Sequence, residues 1–489
     1  MQAQIRKVGL GLVFLFLAVF FQLNYVQIFA AERIASNNAN IRSLLREYSI
    51  QRGDIITLDG TRVAISKPTG KKLKYRRSYP QGELYGHITG FYSINYGESR
   101  IESTFHKQLL GDAGVISMQD IQDRFLGAGE EGDDVRLTIH SKLQQAARAA
   151  LGANKGAVVA MDPQTGEVRA MWSNPSYDPT PLASHDSAEA KRYWNSLDPE
   201  SSTSPLVSKA TSRGYAPGST VKVITTAAAL ETKYQPDDTF PDPVELELPQ
   251  TDETLTNFTK TACVGGQIDL FTALEVSCDT TFAMIGMELP NEVREMAEAI
   301  GFNEQIPFDV GTEASSFPEV GEDNKPFQAY VAIGQGDVVA TPLQMALVAA
   351  TVANGGEVPR PQLVREVIDP SGGIVERFQP ETLGSAMSSD TAREVTEMME
   401  AVVQGDNGTG QAAQIPGVTV AAKTGTAQTV EGASPHAWFI AFAPAEDPQL
   451  AVAVIVENGG QVGSEATGGA VAAPIAKTLL EADRQIRGW

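Results

Sequence analysis

Ser219 and Lys222 stand three residues apart at the head of an alanine-rich run that reads as a buried helix, entered from the loop signal Pro217-Gly218. That spacing puts both side chains on one helical face, with Cβ atoms about 5–6 Å apart. Unpaired N–H groups and the positive end of the dipole at the helix start favour an oxyanion. A hydroxyl and an amine so held suit a serine nucleophile with a lysine base. An N-capping serine beside a solvated lysine is the plainer reading of the pair alone. Ser219 is, however, the one serine of the chain with Lys three places on. A second candidate is Lys423-Thr424-Gly425-Thr426, at the end of an apolar run that begins at Val418. In a strand, Lys423 and Gly425 point to one face, Gly425 lets a ligand backbone lie close, and the Thr424 and Thr426 hydroxyls can hold a carboxylate. Taken alone, a strand-end lysine explains it. Ser277-Cys278-Asp279 offers a second hydroxyl and a carboxylate, 58 residues after Ser219. Ser184-His185-Asp186, Ser196-Leu197-Asp198 and Ser388-Ser389-Asp390 have the same form, and Ser93-Ile94-Asn95 is close to it. Only position selects it.

The elements that must carry these residues can be read from the pattern. Residues 156–161 and 168–172 flank the turn Asp162–Glu167 as a strand pair, and 141–151 have amphipathic helical spacing. Residues 418–422, 438–443 and 450–456 read as three more strands, 281–289 as an apolar helix and 471–486 as a closing helix. Two early strands, a helical block, three late strands and a terminal helix imply one mixed sheet between helices, an α/β fold.

Charge divides the chain. Of 38 Lys+Arg and 60 Asp+Glu, residues 1–110 hold 15 and 7, net +8, leaving 23 and 53, net −30, beyond. The step points to a domain change near residue 110, in a Gly/Asp-rich hinge over 111–134, and the overall −22 argues against nucleic acid as a partner. Residues 8–31 carry no charge and follow Arg6-Lys7, so a single membrane-spanning anchor is expected, with the N-terminus inside and the rest outside. Residues 32–48 read as a helix rising from it, and 51–60 as a strand hairpin. Five cations in 71–77 form either a solvated face or a contact for anionic headgroups or wall polymer. Two cysteines and five scattered histidines, none with metal-ligand spacing, imply no metal. With Cys263 and Cys278 both on the oxidising side and close in sequence, a disulfide is expected, with two buried thiols the alternative.

In this order, Ser219-x-x-Lys222, Ser277-x-Asp279 and Lys423-Thr424-Gly425 resemble the S-x-x-K, S-x-N and K-T-G set of penicillin-binding proteins and serine β-lactamases. The likeness extends to Tyr215–Lys222, to Gly334-Gln335-Gly336 with the stretch 341–346, and to 438–444. Arg52-Gly53-Asp54-Ile55 and residues 102–111 resemble the pedestal of class B members, which leaves no room for a glycosyltransferase domain. The resemblance implies a cytoplasmic tail at 1–7, an anchor at 8–31, a pedestal at 32–133 and a transpeptidase domain at 134–489 with a mainly antiparallel sheet. It also implies a peptidoglycan D,D-transpeptidase that needs no cofactor. Ser219 would attack a stem peptide ending in D-Ala-D-Ala, with Lys222 as base and Ser277 as proton relay. The N–H groups of Ser219 and Thr426 would form the oxyanion hole, and Lys423, Thr424 and Thr426 would hold the terminal carboxylate. β-Lactams would acylate Ser219, and proteins of division or elongation would be further partners. Two positions depart from the family. Asp279 stands where the amide is usual, so it is expected to pair with Lys222 or Lys423, and Ser208-Lys209 stands in place of Asn-Arg. A carboxypeptidase or β-lactamase of the same fold, or an idle division scaffold, would share the motifs.

Overall fold

The computed structural model describes residues 2–25, 45–111, 131–321, 323–428 and 433–489. In chain order the elements that matter here are helix α1 (Gln2–Tyr25) and strands β1 (Ile55–Ile56), β2 (Arg62–Pro68), β3 (Tyr75–Ser78) and β4 (Asp134–Leu137). Helix α2 (Ser141–Leu151) and strands β5 (Gly156–Met161) and β6 (Val168–Asn174) follow. The helical block contributes α3 (Lys222–Thr232), α4 (Leu270–Glu275), α5 (Asp279–Glu288) and α6 (Pro342–Ala353). Last come β7 (Val364–Ile368), β8 (Ile374–Arg377), α7 (Ser389–Gln404), β9 (Ala421–Ala427), β10 (His436–Ala443), β11 (Leu450–Val456) and α8 (Ala473–Arg487).

The central sheet has the order β9-β10-β11-β5-β6, with every pairing antiparallel. β11, Leu-Ala-Val-Ala-Val-Ile-Val, is buried at all seven residues, so both its faces are covered. An uninterrupted apolar run is what a strand covered on both faces requires. Helix α6 lies against β10, β11 and β5, while α8, packed on α2, lies against β10 and β11. β9 is the edge strand, and α7 packs along it. The expected strand over 418–422 runs later, from Ala421 to Ala427. Ile415 and Val418 close a turn first, and pairing then continues residue by residue from Ala421–Phe442 to Ala427–His436, through the Lys-Thr-Gly-Thr segment.

A second, six-stranded sheet has the order β8-β7-β4-β1-β2-β3. β4, expected to open the transpeptidase domain, pairs in parallel with β1 (Ile55–Val135) and antiparallel with β7 (Val364–Leu137). Pedestal and later chain thus share one sheet, and one apolar cluster runs from Ile55 to Leu480. Glu102, fully buried, holds this half together. Its carboxylate accepts from Arg52 Nε and Arg77 Nε, both at 2.6 Å, and from Tyr79 OH at 3.1 Å. Arg77 therefore leaves the solvent-facing basic run expected over 71–77, whereas Lys71, Lys72, Lys74 and Arg76 are exposed.

Among the described residues no helix is long and apolar enough to cross a membrane. The continuous apolar part of α1, residues 8–21, is 14 residues against about 20 needed. The remainder of the expected anchor beyond Tyr25, most of the expected helix over 32–48 and most of the hinge over 111–134 lie outside the described residues.

Candidate active site

Four segments far apart in sequence converge at the β9 edge. Ser219 lies in a single 3₁₀ turn, Gly218–Val221, and the α-helix begins only at Lys222. In a 3₁₀ turn residues three apart eclipse, so Ser219 and Lys222 still share a face. Ser219 is half-buried, and its hydroxyl has no hydrogen-bond partner among the described residues. Lys222 is fully buried. Its Nζ donates to Asp279 Oδ1 at 2.6 Å, to the Ser277 carbonyl at 2.8 Å and to Ser277 Oγ at 3.3 Å. Lys423, also fully buried, reaches Ser277 Oγ from β9 at 2.8 Å and its own neighbour's carbonyl, Thr424 O, at 3.1 Å. The Ser277 hydroxyl thus stands between the two lysines.

Ser277 is placed there by the end of a helix. Past α4, Ser277 N donates to Leu274 O and Cys278 N to Ala273 O, the paired bonds of a Schellman closure. The closure puts Ser277 at φ +61°, a left-handed position usually given to glycine. Asp279 then opens α5, where a carboxylate suits the helix dipole. Cys278 and Cys263 form the expected disulfide, with Cα atoms 5.9 Å apart. Asp242 caps the far side of that bridge, accepting from the backbone N–H groups of Cys263, Val264 and Gly265 at 2.6–3.0 Å. Asp242, Cys263 and Cys278 are the only His/Cys/Asp/Glu group of metal-site size among the described residues, and the bridge removes both thiolates from it.

Burial pulls the Lys222 ammonium below the usual lysine range, and the Asp279 charge and hydrogen bond push it back up. Lys423 is drawn well below by burial and then by the Lys222 charge, with Asp279 opposing. Asp279 pairs with Lys222, the first of the two partners expected for it.

Two glycines hold the nucleophile turn in place. Gly218 N donates to Gly334 O at 3.0 Å. Gly334, at φ +77°, lies so close that a Cβ there would meet Gly218 O at 2.1 Å. The Gly334-Gln335-Gly336 segment is thus a backbone clamp. A Cβ on Gly425 would meet Pro217 O and Thr220 Cγ2, each at 2.9 Å. Gly425 thus admits the nucleophile turn, which brings Ser219 alongside Thr426. Thr426 is half-buried. Thr424 is buried, with its hydroxyl 2.8 Å from that of Thr409. Thr409, Asp242 and the Glu457 cluster described below escaped the sequence reading. Gly408-Thr409-Gly410 looks like any turn, and Glu457 has only a strand before it. A cavity of about 420 Å³ lies elsewhere, at the seam between Glu83, Leu84, Arg148 and Trp172.

Comparison with known proteins bears on this arrangement directly. The penicillin binding protein transpeptidase domain matches residues 156–481, and the penicillin binding protein A dimerisation domain matches residues 52–135.

The chain belongs to the penicillin-binding protein transpeptidase family.

Among its relatives, the peptidoglycan D,D-transpeptidase PbpA of Mycolicibacterium smegmatis is 39% identical, and that of Mycobacterium tuberculosis 37%, each alignment covering 99% of both chains. The ceftriaxone acyl-enzyme of M. tuberculosis penicillin-binding protein A superposes with a TM-score of 0.85 at 37% identity, covering 90% of this chain and 99% of that one. Its penicillin G acyl-enzyme gives 0.83 at 36%, covering 89% and 100%. The penicillin binding protein A dimerisation domain at residues 52–135 points to the same penicillin-binding protein A type.

Proposed function

We propose that the chain is a serine D,D-transpeptidase of peptidoglycan, acylated at Ser219. The observation that carries the mechanism is the Ser277 hydroxyl, within hydrogen-bond reach of both Lys222 and Lys423. Family membership and the PbpA relatives support the activity and the donor class, stem peptides ending in D-Ala-D-Ala.

Ser219 Oγ attacks the carbonyl of the penultimate D-Ala as its proton passes to the neutral amine of Lys222. Burial makes that amine available by disfavouring the ammonium. The tetrahedral oxyanion is held by the backbone N–H groups of Ser219 and Thr426, worth about 3–4 kcal/mol per donor. As the C–N bond breaks, the proton moves from Lys222 through Ser277 Oγ to the departing D-Ala nitrogen, leaving an ester on Ser219. An amine of a neighbouring stem peptide then attacks the ester. Its proton returns along the same relay, and Ser219 is freed. Lys423 offers an N–H donor at the carboxylate end, with the hydroxyls of Thr424 and Thr426 on the strand beside it. A β-lactam follows the first half of this path, its ring amide in place of the scissile bond.

The uncharged run over residues 8–31 after Arg6-Lys7 supports a single-pass anchor with the catalytic domain outside. Side chains of α1 such as Leu12, Phe14, Phe16 and Phe21 are exposed, as a lipid-facing helix requires. An acyl-donor thioester mimicking D-Ala-D-Ala, incubated with and without an amine acceptor, tests the reading. Acceptor-dependent amide product is expected. Release of free acid alone, at a rate the acceptor does not change, identifies a hydrolase.

A further inference from the structure

The nucleophile turn is also gripped from its N-terminal side, by groups outside the Ser219–Lys222–Ser277–Lys423 set. Glu457 follows the last residue of β11, and its backbone N–H donates to Lys155 O at 2.8 Å. Its carboxylate, 8% exposed, accepts from Tyr215 OH at 2.6 Å and from Lys209 Nζ, with Arg213 Nε 3.8 Å away. Burial raises this carboxyl, and the bonds from Lys209 and Tyr215 more than reverse that, so Glu457 is held as the anion.

Tyr215 lies four residues before Ser219 and is fixed on every side. Its backbone N–H and carbonyl pair with Ala340 at 3.0 and 2.8 Å. Its ring meets Trp438 and His436 edge-on, with centroids 6.2 and 5.4 Å apart. Trp438 Nε1 donates to Ala216 O at 3.0 Å, and Trp438 is also the cross-strand partner of Gly425. The loop that delivers Ser219 and the strand that delivers Lys423 and Thr426 are therefore both referenced to β10. The Tyr215–Glu457 bond locks that reference to the central strand.

We propose that Glu457 is a positioning residue for acylation: acting through the Tyr215 hydroxyl, it sets the Ser219 turn against β9. The proposal rests on Ser219 as the nucleophile. A plain structural role for the Lys209–Glu457 ion pair makes a different prediction, because stability would then suffer before rate. Misplacement of a reacting atom by about 1 Å can cost on the order of a hundredfold in rate. The loss should fall on the acylation step and not on binding.

The test is stopped-flow acylation of the full chain by a chromogenic β-lactam, resolving the dissociation constant of the first complex from the acylation rate constant. Tyr215→Phe removes one oxygen. It should lower the rate constant about tenfold or more, with the dissociation constant unchanged and the melting temperature within about 3 °C. Glu457→Gln leaves Lys209 buried without its counter-charge and should lower both rate and stability. The neutral pair Lys209→Met with Glu457→Gln keeps an acceptor for Tyr215 OH and should recover the wild-type rate to within about threefold. Adding Tyr215→Phe to that pair should bring the loss back. Wild-type acylation by Tyr215→Phe, or losses that track melting temperature across the series, overturns the proposal. Ser219→Ala in the same assay separates the two readings, since an adduct there refutes the nucleophile assignment whatever the Glu457 series shows.

Discussion

Asp279 is the residue at which the proposed chemistry of this site is most sharply tested. The usual amide would leave two buried lysines facing each other across Ser277 with no counter-charge, whereas the Asp279 carboxylate lies 2.6 Å from Lys222 Nζ. In the proposed mechanism the general base is the neutral form of Lys222, so whatever raises its pKa withholds the base at a given pH. Burial lowers that pKa and Asp279 raises it. Asp279→Asn removes the raising influence, the pKa falls further, and more neutral amine is present at each pH. The acid limb of the acylation-rate profile should therefore move to lower pH in Asp279→Asn, read as β-lactam acylation rate from about pH 5 to 9. A limb that stays in place, or moves up, would show that Asp279 does not govern the Lys222 proton. The pairing itself was legible in the sequence, because a carboxylate between two expected lysines has few other partners. The choice of Lys222 over Lys423 was not, since it depends on where α5 begins.

At the scale of elements, Ser277 sets the proposed proton relay against local backbone preference. The Schellman closure of α4 calls for glycine at its left-handed position, and the relay calls for a hydroxyl there. Ser277→Gly and Ser277→Ala should both lose acylation, since neither can bridge Lys222 and Lys423. The glycine variant should be the more stable of the two by about 1 kcal/mol, because alanine keeps the steric cost at φ +61°. Equal urea midpoints would argue that the turn relaxes in the variants. The strand and helix types around the site follow from apolar period and turn residues, and β5, β6, β10 and β11 lie where the pattern puts them, to within two residues at an end. β9 did not. Its catalytic half, Lys-Thr-Gly-Thr, lacks the apolar alternation that marks a strand. Only pairing with β10, and glycine's fit against Pro217, reveals why it is one.

Over the whole molecule, the pedestal and the catalytic half meet in one six-stranded sheet, so the base of the pedestal is part of the scaffold beneath the site. β4 alternates buried and half-buried residues as a strand with one covered face does. Its neighbours β1 and β7 are about 80 and 230 residues away along the chain, and alternation carries no information about partners. Glu102 is where this half is most exposed to mutation. With Arg52 and Arg77 both buried on it, Glu102→Ala leaves two uncompensated guanidinium groups. About 3–5 kcal/mol of stability should be lost, seen as a lowered urea midpoint. A change below about 1 kcal/mol would mean that water reaches the arginines.

The proposed mechanism requires that Ser219, and no other residue, carries the acyl group. The most direct measurement is mass spectrometry of the chain after brief exposure to penicillin G, intact first and then as peptides. One adduct of full penicillin mass per chain is expected, located on the peptide containing Ser219 and absent from Ser219→Ala protein of unchanged melting temperature. An adduct on another residue, or one that persists in Ser219→Ala, would contradict it.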